Sequence, residues 1–78
     1  MARVRFFAQA RDAAGCRQAD IEGETVGSVL EAVVVQFGPG LRDVIATSTI
    51  WVNGERADRA QRIVPSDELA VLPPVSGG

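Results

Sequence analysis

Histidine and tyrosine are absent from this 78-residue chain, cysteine and tryptophan occur once each, and all eight basic residues are arginine, so lysine is absent too. Without histidine, the side chain that most often serves as general base near neutral pH is missing. Cys16 then has no imidazole to activate it as a nucleophile, and no cysteine–histidine set exists to hold zinc. A single cysteine has no partner within the chain for a disulfide, which fits a reducing compartment. The lack of lysine removes every side-chain amine, leaving only the N-terminal amine to attack an activated acyl group. No apolar run approaches the roughly 20 residues needed to span a bilayer, and the stretch from Met1 to Asp12 lacks the apolar core of a signal peptide. A cytoplasmic protein without a membrane partner is expected. The net charge of −2 supplies no general attraction to nucleic acid.

What is present suits one small folded domain. Apolar residues make up 46% of the chain, enough to argue against disorder. A domain of this length buries only about 60–65% of the surface exposed by its unfolded chain, which leaves little room for a deep internal active site. Arg3 to Ala8 is predicted as a strand, with Val4, Phe6 and Ala8 on one face and Arg3, Arg5 and Phe7 on the other. A turn over Arg11–Gly15 and a weaker strand from Arg17 to Glu22 complete a hairpin. Thr25 is a candidate helix N-cap, with Glu24 favourable at the positive end of the helix dipole. Val26, Val29, Leu30, Val33, Val34 and Phe37 then form an apolar stripe at helical spacing. Gly38-Pro39-Gly40 stops that helix. The run Val33-Val34-Val35 also suits a strand, but six stripe positions with a start and a stop outweigh it.

After an irregular stretch, Ile50-Trp51-Val52 is a short strand ending in the turn pair Asn53-Gly54. Polar residues from Glu55 to Arg62 lead through Val64-Pro65-Ser66-Asp67 to a last strand, Glu68 to Leu72. A helix that buries its stripe must cover one sheet face, and a right-handed crossover then carries the chain to the far edge. The expected class is α+β: a mixed sheet crossed by one main helix, resembling the β-grasp roll of ubiquitin-like proteins. Residues 1–72 form that domain, and residues 73–78 form a flexible tail.

The tail is the most informative segment. Pro73 and Pro74 cannot donate to a β-ladder and favour a stiff, extended chain. Val75 and Ser76 lead to Gly77 and Gly78, which have no Cβ to limit close approach. Six residues from Pro73 reach about 20 Å when extended, enough to deliver a terminal carboxylate into another protein's active site.

The opening Val4-Arg5-Phe6-Phe7-Ala8-Gln9-Ala10-Arg11-Asp12 with Ala14-Gly15, and the ending Leu72-Pro73-Pro74-Val75-Ser76-Gly77-Gly78, resemble the small subunit of molybdopterin synthase. That family is the sulfur carrier of molybdenum-cofactor biosynthesis. The similarity extends through the helix and Ile50–Gly54, covering nearly the whole chain. It implies that an E1-like partner adenylates the Gly78 carboxylate with ATP, and that sulfur from a persulfide donor replaces AMP to leave a thiocarboxylate. It also implies that the tail enters a large synthase subunit, in a heterotetramer of two small and two large subunits, and gives its sulfur to a cyclic pyranopterin precursor. No cofactor is expected on the carrier, and the catalytic groups belong to its partners. Arg5 and Trp51 depart from the family's usual residues at outward strand positions.

Alternation of side chains turns Phe7, Trp51 and Leu72 to the face opposite the helix, so a shared apolar docking patch beside the tail is expected. The resemblance implies that Arg11 contacts an acidic partner residue, although a solvated turn arginine fits the sequence as well. Cys16 is expected to be an inert thiol, and Asp67 and Glu68 to shape a turn, with no metal bound. Three other functions remain open on the residues: a sibling carrier for thiazole or cysteine synthesis, a ubiquitin-like modifier joined to lysines, and a plain binding module.

Overall fold

The computed structural model describes residues 1–74. Its elements are β1 (Ala2–Phe6), α1 (Gln9–Ala14), β2 (Gln18–Ile21), α2 (Val26–Phe37), α3 (Pro39–Ala46), β3 (Thr49–Val52), β4 (Glu55–Arg56) and β5 (Glu68–Leu72). The strands form one mixed sheet in the order β2-β1-β5-β3-β4. β1 runs parallel to β5 and antiparallel to β2, while β3 is antiparallel to both β5 and β4. This is the predicted α+β roll with a ubiquitin-like β-grasp sheet.

Alternation along the strands separates two sheet faces. Ala2, Val4 and Phe6 of β1, Ile50 and Val52 of β3, and Leu69 and Val71 of β5 are buried with the helices. Arg3 and Arg5 point to the open face. On α2, Val26, Val29, Leu30 and Val33 are buried as the stripe predicts, with Val34 and Phe37 packed at its margin. Val35 is 86% exposed. A strand would have put it on the same side as buried Val33, so the helical period decided this valine run. The Phe37 ring meets Phe6 edge-on, with centroids 5.4 Å apart.

The start of α2 follows from its sequence. The Ser28 amide donates to Thr25 Oγ1 at 3.1 Å, and the Thr25 amide donates to Ser28 Oγ at 3.0 Å, forming a reciprocal cap. The amides of Val26 and Gly27 donate to the carbonyls of Gln61 and Arg59, so the loop after β4 satisfies two more free donors. Gly27 permits this approach, since a Cβ there would lie 3.1 Å from the Arg59 carbonyl.

Four expectations need correction. β1 ends at Phe6 rather than Ala8, because Ala8 turns to φ 51° and begins α1; it is exposed, not in the core. The turn expected over residues 11–15 is the end of that helix, whose alanine-rich sequence favours helix and whose C-cap Gly15 has φ 75°. Gly38-Pro39-Gly40 does end α2, but Pro39 also starts α3, where its missing amide costs nothing. Leu41 and Ile45 of that helix are buried, so the stretch is not irregular. Finally, β3 lies one place inside the edge, because the Asn53-Gly54 turn leads into β4 as the outermost strand.

Candidate functional site

The pairing of β1, β5 and β3 brings three open-face positions into one neighbourhood. Arg5 lies opposite Ala70, and Ala70 lies opposite Trp51. One alternation further along, Leu72 pairs with Thr49, and the Phe7 amide donates to the Val71 carbonyl at 3.3 Å. Phe7 is 41% exposed, while Trp51 and Leu72 are half-buried on the same face. All three line a shallow hollow of about 390 Å³, together with Asn53, Gly54, Glu68 and Ala70. Ala70 is the small residue flanked by Phe7, Trp51 and Leu72, so it opens the hollow between larger side chains. The sequence pattern carries this signal, since Glu68, Ala70 and Leu72 alternate with buried Leu69 and Val71 and Ala70 is the small one of the three.

Arg11 stands elsewhere. It projects from α1 into a second hollow of about 640 Å³, lined also by Arg5, Phe6, Phe7, Arg17 and Gln18. Phe7 borders both hollows, so Arg11 neighbours the patch without lining it. Arg5 Nε lies 3.8 Å from Glu68 Oε1, and Arg3 Nε lies 3.6 Å from Asp20 Oδ1. Both pairs are about half exposed and add little to stability.

At the end of β5 the missing amides of Pro73 and Pro74 stop the ladder. The two prolines sit beside Gln9 of α1 and Asp43, Val44 and Thr47 around α3, lining a depression of about 240 Å³. Two helices therefore support the base of the tail. Val75, Ser76, Gly77 and Gly78, named above as the tail and its reactive end, lie outside the described residues.

The opposite end of β5 is fixed by a polar lock. Asn53, at φ 50°, and Gly54, at φ 84°, make the β3–β4 turn with the left-handed backbone such hairpins require. Asn53 Nδ2 donates to Asp67 Oδ1 at 2.8 Å, and the Glu68 amide donates to Asn53 Oδ1 at 2.9 Å. Asp67 Oδ2 accepts from the Val64 amide at 2.8 Å. That backbone donor, and then Asn53, hold the Asp67 carboxyl below its ordinary pKa. Asp67 thus shapes the turn into β5. Cys16 is half-buried against the margin of the core. Among the described residues no cluster of three cysteine, histidine, aspartate or glutamate side chains is placed to hold a metal ion. Among the same residues no helix is long and apolar enough to cross a membrane.

Known proteins share this arrangement. The chain is 32% identical over 79 residues to the molybdopterin synthase sulfur carrier subunit of Arabidopsis thaliana, covering 97% of this chain and 81% of that protein. It is 34% identical over 85 residues to small archaeal modifier protein 1 of Haloferax volcanii, covering 95% and 97% respectively. The solution structure of small archaeal modifier protein 1 from Methanosarcina acetivorans superposes with a TM-score of 0.89 at 30% identity, over 99% of this chain and 95% of that one. Residues 4–78 match the model of the ThiS family. From the β-grasp sheet to the Gly-Gly end, the chain belongs to the ThiS family, as a ubiquitin-like protein of the sulfur-carrier type.

Proposed function

We propose that this chain carries sulfur as a thiocarboxylate on Gly78 and donates it as the small subunit of a molybdopterin synthase. The observation that carries this reading is the Pro73-Pro74 exit from β5 followed by Gly77-Gly78, in a chain whose nearly full-length similarity includes a molybdopterin synthase sulfur carrier subunit. A carboxylate at neutral pH is a poor acyl donor, because its oxygen is a poor leaving group. An E1-like partner joins that oxygen to the α-phosphate of ATP and releases pyrophosphate. A persulfide sulfur then attacks the Gly78 carbonyl carbon, and AMP departs with the oxygen. A thiol cleaves the resulting sulfur–sulfur bond and is itself oxidised, leaving the thiocarboxylate. The chain supplies reach and a soft sulfur nucleophile; the catalytic groups and ATP site lie on the partner.

The tail then enters a large subunit, in an assembly of two small and two large chains, and its sulfur attacks a cyclic pyranopterin precursor. The face bearing Phe7, Trp51 and Leu72 docks on each partner in turn, so the two complexes exclude one another.

Mass spectrometry of the C-terminal peptide tests the first half. After incubation with the activating enzyme, ATP and a sulfur source, the peptide should gain the mass difference of one sulfur replacing one oxygen. A chain extended by one residue after Gly78 should gain nothing while keeping its melting temperature; sulfur on that extended chain would overturn the proposal. Similarity to an archaeal modifier protein favours a second reading, conjugation of Gly78 to a lysine, which the same spectrum would show as an isopeptide adduct. Loading without transfer to a pyranopterin would point to a sibling carrier for thiazole or cysteine synthesis.

A further inference from the structure

Asn53-Gly54 serves the fold as a turn, yet the same two residues are a reactive pair that sulfur transfer does not use. A backbone amide nitrogen can attack the side-chain carboxamide of the residue before it and close a cyclic imide. Glycine in the second position leaves that nitrogen unshielded. Gly54 is exposed, and its amide makes no hydrogen bond among the described residues. Beyond its chain neighbours, nothing lies within 4 Å of where a Cβ would stand. The nucleophile is therefore free, but the electrophile is held. Asn53 Nδ2 donates to Asp67 Oδ1 at 2.8 Å, and Asn53 Oδ1 accepts from the Glu68 amide at 2.9 Å, so both polar atoms of the carboxamide are engaged at the start of β5. β5 and β4 flank β3 on opposite sides. The two bonds thus draw the carboxamide toward one neighbour while the main chain runs through Gly54 to the other. Attack on Cγ requires the carboxamide to release Asp67 and Glu68 and swing toward the Gly54 nitrogen. Exposed hydrogen bonds of this kind open locally far more readily than the whole domain unfolds.

We infer that Asn53 is a self-modification site, that its bonds to Asp67 and Glu68 gate its deamidation, and that the product carboxylate loosens this end of the sheet. Once the bonds open, the Gly54 nitrogen gives its proton to solvent and forms a bond to Asn53 Cγ. The bond from Cγ to Nδ2 breaks, and that nitrogen takes up a proton and leaves as ammonia. Water then opens the imide. Cleavage between Cγ and the Gly54 nitrogen gives an aspartyl residue; cleavage between the Asn53 carbonyl carbon and that nitrogen gives an isoaspartyl residue, whose main chain runs through Cγ. No electrons are exchanged, and the sum is a carboxamide plus water giving a carboxylate and ammonium. Either product puts a carboxylate where Nδ2 had donated to Asp67, so like charges meet in place of a bond at 2.8 Å. The isoaspartyl form also lengthens the backbone of a turn that sets the β3–β4 register. Asn53 and Gly54 line the hollow bounded by Phe7, Trp51 and Leu72, so the change falls on the open face and spares the helices. Ammonia is lost to solvent, which makes the change one-way and lets it accumulate with the age of each molecule.

The test follows the full chain over time in mildly alkaline buffer. Asn53 is the only asparagine, and trypsin, cutting after Arg42 and Arg56, isolates it in residues 43–56. That peptide should gain the mass difference of a hydroxyl replacing an amino group, and part of the product should be methylated by an isoaspartyl methyltransferase. The reaction should run fastest in the urea-unfolded chain and slowest in the folded wild type. Asp67→Ala removes the acceptor that holds Nδ2, and should speed the folded reaction about fivefold, the equivalent of about 1 kcal/mol. A melting curve checks that this variant is folded. Independently of any variant, the wild-type rate in urea below the unfolding midpoint should climb steadily toward the unfolded rate. The deamidated form, separated by anion exchange, should melt below fresh protein. Labelled with nitrogen-15, it should show shifted amides at Trp51, Gly54, Glu68 and Ala70, with Val29 and Leu30 of α2 unmoved. Equal rates in the folded and unfolded wild type would remove the gate, and equal rates in folded wild type and folded Asp67→Ala would remove Asp67 from it. A deamidated form with the melting temperature and spectrum of fresh protein would remove the consequence. Any one of these results overturns the inference.

Discussion

Removing the Asn53 side chain isolates the lock that fixes the start of β5. Asn53→Ala loses the bond to Asp67 at 2.8 Å and the bond from the Glu68 amide at 2.9 Å. At this exposed site the two contribute about 1–2 kcal/mol together. Alanine must also hold φ 50°, which asparagine tolerates better, at a further cost of about 1 kcal/mol. The sum is about 2–3 kcal/mol, and a domain of this size should lose about 10–20 °C in melting temperature. Urea denaturation of Asn53→Ala, Asp67→Ala and the double variant would show the two losses to be less than additive, since the pair shares a bond. A loss below about 0.5 kcal/mol, the scatter of ordinary surface changes, would refute the lock. The same site should govern acid stability. Because the folded protein lowers the Asp67 pKa, the contribution is complete above the ordinary aspartate value of about 4 and fades as pH falls through the lower folded value. Asp67→Asn should therefore flatten the acid limb of the stability profile, and coincident limbs for both proteins would remove Asp67 as its source.

The remaining predictions concern transfer and docking. Gly77→Ala adds a Cβ and penalises positive φ by about 1–2 kcal/mol, so adenylation should slow with the melting temperature unchanged; unaltered rates in an ATP-dependent adenylation assay would argue against a narrow partner tunnel. Trp51→Ala should weaken each partner complex by about 1–3 kcal/mol, with a smaller loss of stability than truncating a core residue because the indole is half-buried on the open face; equal affinities in titration calorimetry would contradict that. With no lysine in the chain, activated carrier incubated alone should form almost no carrier–carrier isopeptides, and their abundance by mass spectrometry would show that the reacting species has another sequence.

The apolar stripe of α2, its Thr25 start and the inward side of each long strand were legible because one burial period ran through each segment. α1 was not, since its six residues carry only one buried side chain, Ala10, and so show no period. α3 was hidden by punctuation: the residues that close α2 are the ones that open the next helix, and Leu41, Val44 and Ile45 keep helical spacing over only two turns. The grouping of Phe7, Trp51 and Leu72 followed from alternation together with strand order. The arginine hollow did not, because Arg17 approaches Arg5 and Arg11 only through the folded path from α1 into β2.

The parallel pairing of β1 with β5 sends the start of the chain and the exit of its last strand to opposite ends of one strand pair. Ala2 begins β1 beside the entrance to β5, while Pro73 leaves from the other end of the same pair. Five residues of strand at about 3.3 Å each set the two ends about 16 Å apart. A dye, affinity tag or bead attached at the N-terminus would hold the protein from the end opposite Pro73. Immobilised in that orientation, the protein keeps the exit of β5 at Pro73 turned away from the support.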